Sequence, residues 1–134
     1  YFYLTGHGNV KFDDEETQIL RDQLLAGAFL HADDNYGMDK SFRREMKNVF
    51  PEKDWVELPP NHLIFNIYYK FPSGLPKVHE HENNRPQALG LFNKGKLIVL
   101  YTFESDDQSS QYLILNDQQY PTIAWLEVCA LLLK

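Results

Sequence analysis

The first thirty-six residues, YFYLTGHGNV KFDDEETQIL RDQLLAGAFL HADDNY, constrain the fold more than any other stretch of the chain. Tyr1 to Thr5 is a short aromatic and β-branched run that stops at Gly6-His7-Gly8, and Ala28 to Ala32 is a second apolar run that stops at Asp33-Asp34. Both have the character of buried strands. Between them, Asp13 to Ala26 has the length and composition of a helix, so the unit reads strand, helix, strand, which builds a parallel sheet through a crossover. Such sheets bind ligands in the loops at the carboxyl ends of their strands. That rule places Gly6, His7 and Gly8 on one loop and Asp33, Asp34 and Asn35 on the other, about 5 Å apart if the strands are neighbours.

The helix start is well specified. Asp13 is placed to cap it with Glu16 three residues on, and Asp14, Glu15 and Glu16 put negative charge where the helix dipole favours it. Ile19, Leu20 and Leu24 form its apolar face, and Gly27 stands where a left-handed cap is wanted. A second helix follows, with Asp39 or Ser41 as cap. Phe42, Met46, Val49 and Phe50 recur at core spacing, and Pro51 ends it. Arg43, Arg44 and Lys47, matched by Asp39 and Glu45, read as its solvated face.

Residues 55–71 show no single period, although Trp55 to Leu58 has strand character. Pro72 to Arg85 is loop-like and carries His79 and His81. Ala88 to Asn93 and Lys96 to Thr102 form a hairpin around Lys94-Gly95. Glu104 to Ser110 is an acidic loop, Tyr112 to Leu115 a short strand, and Thr122 to Lys134 a helix apolar nearly all round. Because a strand stands at residue 1, a further strand and helix are expected before it, leaving an apolar surface and a tendency to self-associate.

A chain of 134 residues fits one domain, and a net charge of −6 argues against nucleic acid as partner. Hydrophobic content of 43% excludes a disordered chain. The longest apolar stretch, Ile123 to Leu133, is too short to span a membrane. One cysteine, Cys129, excludes an internal disulfide.

Several motifs in order, YLTGHG (Tyr3 to Gly8), AGAFLHADD (Ala26 to Asp34), SFRREM (Ser41 to Met46), LPPNHLIF (Leu58 to Phe65) and GLPKVHEH (Gly74 to His81), resemble a bacterial family known as domain of unknown function 4159. The likeness covers about Tyr1 to Thr102. Ala28 stands where the family usually has glycine and Leu63 where it usually has proline. The resemblance implies an α/β fold: a flavodoxin-like three-layer sandwich with a largely parallel sheet, of the class I glutamine amidotransferase-like group, with its N-terminal part missing here. It also implies a cell-envelope or periplasmic setting and no established activity.

Amidotransferase chemistry needs a cysteine on a tight strand-to-helix turn. The corresponding turn, His31-Ala32-Asp33-Asp34-Asn35, has none, and Cys129 lies in an apolar helix where a thiolate is disfavoured. The preferred reading is therefore a non-catalytic module for a small polar ligand or a protein partner. Its candidate ligand-binding residues are Gly6, His7, Gly8, Asp33, Asp34, Asn35, His79 and His81. The alternative is a hydrolase-like enzyme on a small polar or carbohydrate substrate, with His7 as base and Asp33 or Asp34 orienting it or sharing a metal. His79 and His81 alone are too few ligands to predict a metal, and no phosphate-binding or dinucleotide motif is present, so no cofactor is expected. His31 reads as a core histidine and His62 as a loop organiser.

Overall fold

A computed structural model describes residues 1–65 and 87–103. Five strands, β1 (Phe2–His7), β2 (Leu30–Tyr36), β3 (Val56–Glu57), β4 (Gln87–Asn93) and β5 (Lys96–Phe103), form one sheet in the order β1-β2-β5-β4-β3. Helices α1 (Asp14–Leu25) and α2 (Asp39–Val49) follow β1 and β2. The expected pairing holds: β1 and β2 are adjacent and parallel, joined through α1. The largely parallel sheet does not. β2 pairs with β5 in parallel, but β5–β4 and β4–β3 are antiparallel, so the sheet is mixed. The physical reason is the two-residue turn at Lys94-Gly95, both at positive φ (50° and 80°), which can only return the chain antiparallel to itself.

α1 is built as its sequence dictates. The Asp13 side chain accepts the Glu16 N–H at 2.8 Å while the Glu16 side chain accepts the Asp13 N–H at 2.9 Å. Gly27 follows the C-cap Ala26 at φ 115°, a conformation that side chains rarely adopt. Of the three residues assigned to the apolar face, Leu24 is fully buried and Leu20 half-buried, whereas Ile19 is 52% exposed.

Both helices cover the same face of the sheet. Leu24 of α1 and Phe42, Met46, Val49 and Phe50 of the α2 segment pack on Leu30, Ala32, Leu91, Val99 and Tyr101. Each such burial removes a side chain from water at roughly 1.5–3 kcal/mol. The opposite face carries a second core, Phe29, Leu58, Ile64, Phe65, Ala88, Leu97 and Leu100, under a 3-10 turn at Leu63–Phe65. Ile98 is the extra residue of a bulge between the Leu91–Val99 and Phe92–Leu97 pairs, which turns both Ile98 and Val99 toward the helix-covered core. Within residues 55–58, only Val56–Glu57 becomes strand. The elements expected beyond residue 103 lie outside the described residues. Among the described residues, no helix is long and apolar enough to cross a membrane.

Replacing Gly27 by alanine is expected to lower the unfolding free energy by about 1–2 kcal/mol, because nothing crowds the site and the whole cost is backbone strain. Urea denaturation with unchanged m-value checks this.

Candidate functional site

The carboxyl ends of the three parallel strands β1, β2 and β5 lie at one edge of the sheet. Both β1 and β2 run further toward it than their apolar runs suggest: β1 takes in Gly6 and His7, and β2 takes in Asp33, Asp34 and Asn35. The aspartates therefore sit within a strand and not on a loop. They can do so because each carboxyl group finds partners inside the fold.

Alternation along β2 separates the two carboxyl groups onto opposite faces. Asp33, paired in register with Thr102, accepts the Thr102 hydroxyl at 2.5 Å. His31 shares that face, its ring tilted against Tyr3 at 5.2 Å between ring centres and with Nε2 3.4 Å from Thr102 Oγ1. All three are essentially inaccessible to water. Burial pushes the His31 imidazole down to about 4, so it is neutral at ordinary pH and is the core histidine its position suggested.

Asp34 faces the helices. One carboxylate oxygen accepts the Met38 N–H at 3.0 Å, fixing the start of α2, whose N-cap residue Met38 makes no side-chain capping bond. The other lies 3.4 Å from the Tyr101 hydroxyl, which also donates to Asp39 at 2.9 Å. Arg43 completes the cluster, donating to Asp39 at 2.6 Å with its guanidinium 5.5 Å from the Tyr101 ring centre. Burial and the two nearby carboxylates push the Tyr101 phenol well above its ordinary value, so it stays protonated and able to donate. Trp55 and Phe42 pack on the Tyr101 ring at 5.7 and 4.7 Å, which makes Trp55 part of the core.

His7 is exposed, and its two glycines differ. Gly8 has φ 95°, a torsion the turn requires. Gly6 has an ordinary backbone, pairs with Asp34, and a Cβ built on it meets no atom within 4 Å. Space for a side chain is thus left open beside the Asp34 backbone. Among the described residues, His7 makes no hydrogen bond to either aspartate, and no group of three or more His, Cys, Asp or Glu could hold a metal ion. His79 and His81 lie outside the described residues.

The sequence reading missed Ser41, Arg44 and Glu45. Taken as part of a cap and a solvated face, Ser41 and Glu45 are buried, and all three bond the loop after β1. Burial alone would push the Glu45 carboxyl up, but hydrogen bonds from Arg44 and the Phe12 N–H outweigh it and hold it below its usual range. The available signal was spacing: Ser41 and Glu45 at i, i+4 lie on one helix face, adjoining the Phe42-Met46 apolar stripe. His62, expected to organise a loop, does so: its Nδ1 accepts the Ile64 N–H at 3.3 Å.

Residues 1–111 match the family model described as Domain of unknown function (DUF4159), and the chain belongs to that family. No curated protein matches it.

His31 sets a pH dependence. The unfolded chain binds a proton near 6.5 and the folded one only near 4, so the unfolded state gains protons first as pH falls. Stability is fully present above about 6.5 and is lost progressively down to about 4, by roughly 3 kcal/mol. Denaturation midpoints across that window check it; the expected outcome is that His31→Asn flattens the slope there.

Proposed function

We propose that this family member is a non-catalytic ligand-binding or protein-interaction domain of the cell envelope. Its ligand is a small polar molecule or a partner's polar segment, seated at the carboxyl edge against Gly6, His7, Gly8 and the Asp33-Asp34-Asn35 segment, with His79 and His81 as further candidate contacts. The flavodoxin-like, amidotransferase-like architecture and the envelope setting rest on the family resemblance. The carrying observation is that the acidic side chains Asp33 and Asp34 at this edge are engaged within the fold, Asp33 by Thr102 and Asp34 by Met38 N–H and Tyr101, while His7 and Gly8 are exposed. Catalysis needs convergent groups poised for proton transfer; a binding site needs shape and a few accessible polar atoms. Gly6 supports the same reading, since neither its torsion nor any crowding calls for glycine there, whereas a ligand approaching the strand does.

One observation favours the hydrolase-like alternative, namely the exposed His7 imidazole at an edge where parallel sheets place their chemistry. That reading requires Asp33 or Asp34 to exchange an internal partner for His7 or a metal.

Nuclear magnetic resonance titration with neutral monosaccharides, amino-acid amides and short polar peptides separates the two. We expect saturable shifts centred on the His7 ring and the Gly8 amide, abolished by Gly6→Val or His7→Ala. His7→Ala should keep stability within about 0.5 kcal/mol, as is usual for an exposed position, and the Cβ that Gly6→Val adds meets no neighbouring atom. Turnover of p-nitrophenyl ester or glycoside substrates that vanishes in His7→Ala would instead establish the enzyme.

A further inference from the structure

We infer that Ser41, Arg44 and Glu45 are positioning residues that hold the turn at Gly8, and with it the His7 end of β1, in a fixed orientation before any ligand arrives. The inference rests on reading that turn as the binding site. It starts from a problem of backbone satisfaction. Gly8 to Asp13 forms neither helix nor strand, yet Val10 and Phe12 are half-buried and pack against the helix-covered core. Their backbone groups need partners there.

α2 supplies them through side chains. Ser41 Oγ accepts the Val10 N–H at 2.9 Å, an Arg44 terminal nitrogen donates to the Val10 carbonyl at 3.0 Å, and Glu45 Oε2 accepts the Phe12 N–H at 3.1 Å. Arg44 Nε also donates to the other Glu45 oxygen at 2.8 Å, so the two charged groups brace one another. Val10 is thus gripped at both its N–H and its C=O, two residues beyond the turn. The bonds made by Arg44 and Glu45 are charge-assisted, which makes them stronger than neutral counterparts, and the Glu45 carboxylate that accepts two of them is buried.

The same first turn of α2 anchors the neighbouring strand end. The Ser41 hydroxyl donates to the Met38 carbonyl at 2.9 Å, with the Gly8 carbonyl at 3.5 Å, and the Met38 N–H is held by Asp34. The turn after β1 and the end of β2 are therefore registered to a common support. A site built this way avoids much of the ordering cost of binding.

The test reads the turn itself, without ligand, so it is independent of whether any ligand is found. Backbone relaxation and amide exchange are measured on the whole chain carrying Ser41→Ala and, separately, Arg44→Met, the latter at an exposed side chain. We expect Val10 exchange to accelerate about tenfold, the equivalent of one lost hydrogen bond. Order parameters at His7 and Gly8 should fall below about 0.6, while Val99 and Tyr101 keep their protection. Unchanged order at His7 and Gly8, or an equal loss of protection at Val99, overturns the inference. In the first case the bonds do not position the turn; in the second they merely stabilise the whole fold.

Discussion

The structure depends on β2 being hydrogen-bonded in parallel on both sides, between β1 and β5, with a core on each face. A strand in that position has no exposed surface for a polar side chain, and parallel strands so placed are ordinarily apolar throughout. β2 departs from this rule at His31, Asp33 and Asp34, all buried. A neighbour on β5 offers each a hydroxyl: Thr102 for Asp33 and His31, Tyr101 for Asp34.

The matching also explains how the edge is divided. The internal partners hold β2 straight through Asp34, whose second oxygen starts α2, and α2 in turn grips the loop after β1. A chain of polar contacts thus runs from the middle of the sheet to the backbone just beyond His7. Asp33, Asp34, Arg44 and Glu45 serve this scaffold, while His7 and Gly8 stand exposed at the rim.

Much of the frame was legible in the residues. The Asp13-Glu16 box, the crossover through α1, the Phe42-Met46-Val49-Phe50 stripe and the Lys94-Gly95 hairpin depend on local spacing, which a sequence displays directly. What was not legible depends on which strands become neighbours. A polar residue after an apolar run reads as a loop unless its partner is known, and the partners of Asp33 and Asp34 lie 69 and 67 residues away. The same holds for Ser41 and Glu45, whose acceptor roles emerge only once the loop at Val10 to Phe12 is folded back on α2. The mixed sheet was missed for a related reason: the hairpin was seen, but not that β5, its second arm, docks beside β2.

The most direct test of this account is the unfolding free energy of Asp33→Ala and Asp34→Ala. If the two carboxyl groups are structural, each variant loses about 1.5–3 kcal/mol, the range for buried hydrogen bonds to ionisable groups, with further loss from the orphaned donors. If instead they are held at some cost to the fold for the sake of chemistry, their removal leaves stability unchanged or raises it, as commonly follows when a strained active-site group is replaced. That result would contradict the account.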